Sequence, residues 1–219
     1  MGEYFYRKQF IQNLLYKRRW HRVDFLLSKV RLFPEMSILD VGCGPDGRSL
    51  EKFLHSDYRI VGIDLYDETE VKVNHPRFTY FQQDARSLSR FRDKEFDLAL
   101  SIGMMEHICD RAMLSQMACE INRVSKQYVI VVPWKYAWIE PHFKFPFFQL
   151  LPYRFKLALT KMFDLHNLRE KVKIDAAYIR NHYQWLSNPE WQRIFVGSKV
   201  YVTPTLETIA IIKPKQVHA

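Results

Sequence analysis

The chain has 219 residues, 47% hydrophobic and 15% aromatic, with a net charge of +9. That size and apolar content fit one larger α/β domain with a real core and exclude a disordered chain. No apolar stretch reaches the roughly 20 residues a membrane helix needs, and the charged start "MGEYFYRKQF" has neither a signal-peptide core nor a myristoylation site.

Residues 5–32 read as one or two amphipathic helices, with Phe10, Leu14, Leu15, Phe25, Leu26 and Val30 at helical spacing. Bases fill the gaps: Arg7, Lys8, Lys17, Arg18, Arg19, Arg22, Lys29 and Arg31 against Glu3 and Asp24. This basic segment, 1–33, is either a solvated helix face or a contact for an anionic partner, acidic lipid or nucleic acid. After Pro34, "MSILDVG" predicts a buried strand and "PDGRSLEKFL" a helix with Pro45 in its first turn. "YRIVGIDL", "RFTYFQQ" and "EFDLALSI" predict three more strands. "DRAMLSQMACEINRV" has helical periodicity behind an Asp cap, and "QYVIVVP" is a fifth strand. Buried strands alternating with helices imply a doubly wound, mostly parallel sheet.

Residues 134–175 break this rhythm and read as an insertion or cap after strand five, in which Pro141, Pro146 and Pro152 are interleaved with aromatics. Its aromatic and basic mixture suits an apolar lid, a dimer contact or an anionic membrane surface. The end, "SKVYVTPTLETIAIIKP", predicts an antiparallel hairpin. No repeat or second domain is visible, so 1–219 is read as a single domain. Cys43, Cys109 and Cys119 form no C-x-x-C pair, which points to a reducing cytoplasm, with peripheral membrane contact left open.

Within "ILDVGCGPDG", Gly42, Gly44 and Gly47 have the G-x-G-x-x-G spacing of a nucleotide-binding turn. Glycines at the carboxyl ends of parallel strands mark the crevice where such sheets bind ligands. Asp64, one strand later, can accept hydrogen bonds from both ribose hydroxyls of an adenosine. Asp84, in "FQQDARSL", can accept from the adenine amino group while the Ala85 N–H meets a ring nitrogen. Asp40 decides the rest, because a carboxylate beside the turn repels the pyrophosphate of a nicotinamide dinucleotide. S-adenosylmethionine has no phosphate, and Asp40 can orient its ammonium group.

"ILDVGCGPDG", "VGID", "QQDARSL" and "FDLALSIGMMEHI" resemble the successive motifs of class I S-adenosylmethionine-dependent methyltransferases, closest to the type 11 small-molecule group, over about residues 36–133. The resemblance implies a Rossmann-like seven-stranded sheet with one antiparallel strand, and S-adenosyl-L-methionine as cofactor. It implies Asp40, Gly42 and Gly44 at the methionine part, Asp64 and the following Leu65 at the ribose, and Asp84 and Ala85 at the adenine. Ser101 and Ile102 would line the pocket after strand four.

Methyl transfer from a sulfonium is largely a matter of alignment, but an oxygen acceptor gains from a base. His107 is the first candidate, beside Glu106 in "MMEHI". His142, next to Glu140 in "IEPHFKFP", and His182 and Tyr183 in "RNHYQW" are further candidates. Some relatives bind a divalent metal through E-x-x-E-H; here Gly103 stands at the first acid, so no metal is expected. The expected function is methyl transfer to a small-molecule, glycan or lipid-linked acceptor, preferably at oxygen. The alternatives are an RNA or other nucleic-acid methyltransferase, weakened because "SIGMMEH" lacks the Asn/Asp-Pro-Pro-aromatic motif, and a non-catalytic cofactor-binding protein.

Overall fold

A computed structural model of the chain describes residues 24–47, 53, 56–163 and 175–213. The predicted helices before Asp24 and over 48–55 lie outside the described residues, apart from Phe53, as does 164–174. The strands are β1 Ser37–Val41, β2 Arg59–Asp64, β3 Phe78–Gln82, β4 Leu98–Ile102, β5 Tyr128–Pro133, β6 Lys199–Val202 and β7 Thr208–Lys213. They form one seven-stranded sheet in the order β3-β2-β1-β4-β5-β7-β6.

The first five strands pair in parallel, with Ile38 beside Ile60 on one side and Leu98 on the other. β1 and β5 are buried along their whole length. Burial of every residue, rather than an alternation, is what a strand covered on both faces shows. β7 runs antiparallel to both β5 and β6, so it is the one reversed strand and sits inside the hairpin. Thr203, buried in the turn, ties the hairpin by donating its hydroxyl to the Thr208 carbonyl at 3.0 Å.

Helix α1, Arg111–Val124, starts where Asp110 accepts hydrogen bonds from the N–H groups of Ala112 and Met113. It buries Leu114, Met117, Ala118 and Ile121, at helical spacing, against one face of the sheet. Leu26 and Phe53 cover the other face through Ile38, Ile60 and Leu98. Between β5 and β6 come α2 Tyr153–Phe163, α3 Ala176–His182 and α4 Asn188–Ile194. Helix α3, which begins just past the expected cap boundary at 175, packs on α2. The cap has its own small core, in which the Phe143 and Phe148 rings stack at 4.0 Å beside Ile179 and Tyr183.

The chain leaves β1 toward β2 and β3, and leaves β4 toward β5. β1 and β4 are thus neighbours whose connections diverge, which opens a crevice at their carboxyl ends.

Candidate active site

A cleft with about 600 Å³ of empty space, part of it open to solvent, occupies that crevice. Gly42 forms its floor, with positive φ (+74°). A Cβ there would stand 2.6 Å from Met104 Cγ, so only glycine lets the turn and Met104 share the space. Asp64, at the end of β2, takes the Gly44 N–H on one carboxylate oxygen at 2.8 Å and the Leu65 N–H on the other at 2.7 Å. Each oxygen keeps a further lone pair, so the locked carboxylate can still receive two hydroxyls. The Leu65 loop is held from β3, where Gln82 donates to the Leu65 carbonyl and Tyr80 to that of Tyr66.

Leu65, Met104, Ile108, Met113 and Met117 make the apolar walls. Asp84, Ala85 and Arg86 close the far end. Arg86 grips Asp84 through Nε at 2.8 Å and Nη2 at 2.6 Å, and these hydrogen bonds hold the Asp84 carboxyl below its ordinary range. Of the residues expected at a cofactor, Gly42, Asp64, Leu65, Asp84 and Ala85 line the cleft; Asp40, Gly44, Ser101 and Ile102 do not. Asp40 is fully buried mid-strand, between Gly62 and Leu100 in register. It lies beneath the turn rather than in the wall, and burial together with its charge raises the Cys43 thiol pKa. Ser101 is likewise fully buried. Arg86, Met113 and Met117 were not legible as wall residues; the only sequence hint is their place just beyond Asp84 and one turn apart on α1.

The residues fit S-adenosylmethionine. A glycine floor admits a ligand backbone, a locked carboxylate meets a ribose, and a thioether-rich apolar wall suits adenine. Asp40, which the sequence suggested at the ammonium group, is fully buried in this structure.

The second half of the site lies where the cap meets the turn after β4. That 3-10 turn, Met105–His107, sits between two cleft residues, Met104 and Ile108. Gln184 fastens the turn to the cap: its N–H donates to the Glu106 carbonyl at 2.9 Å and its amide to the carbonyls of Met105 and Ile108. His107 Nδ1 lies 2.8 Å from the His182 carbonyl. A carbonyl only accepts, so Nδ1 carries the proton and Nε2 is left with its lone pair. The His107 ring meets His142 at 5.2 Å and Tyr183 at 5.1 Å, both edge-on.

His142 donates from Nδ1 to Glu140 at 2.9 Å, and its Nε2 stands 3.7 Å from Glu106. Glu140 is saturated, also accepting from the backbone N–H of His142 and Phe143 and from Trp185 Nε1. Burial disfavours charge on both Glu140 and His142, but their shared hydrogen bond and attraction outweigh it. Glu140 is held below its ordinary range and His142 above. Glu106 is buried with no hydrogen bond to Oε2, and burial pushes it up to about 7. Desolvation against these rings, aided by the His142 charge, keeps His107 below the usual histidine range.

The structure thus gathers His107, His142, Glu106 and Tyr183, all sequence candidates, around Glu140. The His182 ring instead stacks on Tyr178 at 4.0 Å, and only its carbonyl joins the group. Glu106, His107 and His142 bring one ligand-type atom each within 4.8 Å of the other two, the one such trio among the described residues. Ligands of a bound zinc stand about 3.3 Å apart, so the trio would have to contract to hold an ion.

Residues 39–132 match the family model described as "Methyltransferase domain". The chain is similar to the cyclopropane-fatty-acyl-phospholipid synthase of Escherichia coli K12, 30% identical over 92 residues. The match takes in 40% of this chain and 23% of that protein, so the chain spans about a quarter of the length of the curated relatives it matches. Among solved structures it is similar in fold to a SAM-dependent methyltransferase from Methanosarcina mazei, with TM-score 0.54, 21% identity and coverage of 83% and 92% of the two chains. It is also similar to the Burkholderia thailandensis 1,6-didemethyltoxoflavin-N1-methyltransferase, solved with S-adenosylhomocysteine, with TM-score 0.53, 16% identity and coverage of 89% and 76%.

Proposed function

The chain carries a class I S-adenosylmethionine-dependent methyltransferase domain, and from that premise we propose that it methylates an oxygen of a lipid-linked acceptor at a membrane surface, with His107 as general base. The observation that carries this reading is the His107–His182 hydrogen bond, which locks the imidazole in the tautomer whose Nε2 is free to take a proton. Bound cofactor supplies an electrophilic methyl group. Gly42, Asp64, Leu65, Asp84 and Ala85 would hold it in the cleft.

His107 stands on the turn that separates this cleft from the cap. Its Nε2 receives the hydroxyl proton of the acceptor as that oxygen gains its methyl group. The Glu140–His142 pair behind it fixes the ring stack, and burial, aided by His142, holds His107 below the usual histidine range. Glu106 holds His142 from the other side. These two are positioning residues, while His107 touches the acceptor. The apolar cap and the phospholipid enzyme of Escherichia coli support a lipid class of acceptor.

The test is transfer of labelled methyl from S-adenosylmethionine to a chloroform–methanol lipid extract. Label should appear in the lipid phase on oxygen, chelation should leave turnover unchanged, and His107→Ala should lower kcat by about 10²–10⁴-fold with the affinity for S-adenosylhomocysteine intact. Label on nitrogen or carbon overturns the oxygen assignment, label only on RNA overturns the acceptor class, and full turnover by His107→Ala overturns the base.

A further inference from the structure

Helix α2 is amphipathic the wrong way round for a water-soluble cap. It buries two polar residues: Lys156 is 3% exposed, with Nζ donating to the Gln149 carbonyl at 3.0 Å and lying 4.3 Å from the Trp185 ring, and Thr160 is buried one turn on. It turns its large apolar residues outward, with Phe155 61% and Met162 67% exposed. Phe155, Ala158 and Met162 share one face by their spacing, flanked by exposed Arg154 and Lys161.

The pattern continues in the loop before the helix. Seven of the eleven exposed large hydrophobics among the described residues fall within 136–163, so the exposure is concentrated rather than scattered. Trp138 and Phe147 are joined by a backbone hydrogen bond at 2.9 Å, and Leu150 by another to Phe147. Phe147 holds positive φ (+50°), a conformation costly for an aromatic residue, and its ring projects half-exposed. The Phe163 ring at the end of α2 meets Phe145 of the same loop at 6.2 Å, which knits loop and helix into one patch.

Charge identifies the occupant. Within 134–163 the one carboxylate is Glu140, which is buried, while Lys144, Arg154 and Lys161 are exposed. A second copy of the chain would set these cations against themselves. An anionic bilayer offers acyl tails for the aromatics and phosphates for the bases.

We propose that the cap docks on an anionic membrane surface through the apolar face of α2 and the loop 138–150, lying in the interface plane. No helix among the described residues is long and apolar enough to cross a membrane. The docking rests on the lipid-linked reading of the acceptor and adds where the lipid is met: the cap that seats His142 and Tyr183 is the part that enters the interface.

The experiment is co-sedimentation of the full chain with phosphatidylcholine vesicles, with and without 30% phosphatidylglycerol. Each basic residue near an anionic surface contributes about fivefold in affinity, so Lys144→Glu/Arg154→Glu/Lys161→Glu should weaken binding to the anionic vesicles by a hundredfold or more. Phe155→Ser/Met162→Ser should weaken it at least tenfold. Both variants should bind S-adenosylhomocysteine as the parent does, which shows that they fold. Equal binding to both vesicle types, no binding, or binding by the variants as tight as the parent's overturns the proposal. Concentration-dependent dimerisation that the apolar variant abolishes overturns it too, in favour of a second copy. Transfer to detergent-dispersed lipid separates the two readings: vesicle binding without any lipid methylation sinks the acceptor class alone, and lipid methylation without vesicle binding sinks the docking alone.

Discussion

Replacing Glu106 by Gln should remove a pH dependence from the stability of the fold. The carboxyl is fully enclosed, and burial moves it from its ordinary value of 4.5 to about 7. Between those values the folded chain holds a proton that the unfolded chain has released, so stability falls as pH rises. The gap corresponds to about 3 kcal/mol at roughly 1.4 kcal/mol per pH unit. This contribution is fully present below pH 4.5 and lost once pH has risen through 7. Gln keeps the shape and cannot ionise. Urea unfolding of both proteins at pH 4, 5.5, 7 and 8.5 isolates this carboxyl and its neighbour, because titrations other than those of Glu106 and His142 cancel in the difference. The variant should gain about 3 kcal/mol relative to the parent between the extremes, or about 6–12 °C in Tm at roughly 2–4 °C per kcal/mol. Parallel curves would refute the reasoning. They would mean that Glu106 is ionised throughout, its charge balanced by His142 at 3.7 Å.

Asp64→Ala removes the acceptor for two backbone N–H groups and the proposed acceptor for the ribose; titration calorimetry should show at least a hundredfold loss of S-adenosylhomocysteine affinity, and retained affinity would place the nucleoside elsewhere. Gly42→Ala drives a methyl into Met104 at a positive φ; it should cost about 1–3 kcal/mol in stability and abolish cofactor binding, both measurable by thermal melts with and without ligand. Gly42→Ala/Met104→Ala should recover part of the stability but little of the binding, since the φ requirement remains. His107→Ala should lose turnover with cofactor affinity intact, as stated with the proposed reaction.

Much of this protein is legible along the chain. The unbroken apolar run "YVIVVP" specifies a strand covered on both faces, because a strand with one wet face would have to alternate. The glycine turn, Asp64, Asp84 and the terminal hairpin follow from local chemistry, and the fold and the cleft follow from them. Other features depend on neighbours far away in sequence. Asp40 sits near the turn in sequence yet is sealed in the sheet, because strand direction rather than proximity decides where a side chain points. The tautomer of His107 is set by a carbonyl 75 residues on, and the Glu140 that pairs with His142 is held by Trp185, 45 residues on. In α2 the cap core selects Lys156 and Thr160 for burial and leaves Phe155 and Met162 outside. Sequence determines which residues share a face, and only the packed chain decides which face meets the core, the ligand or the solvent.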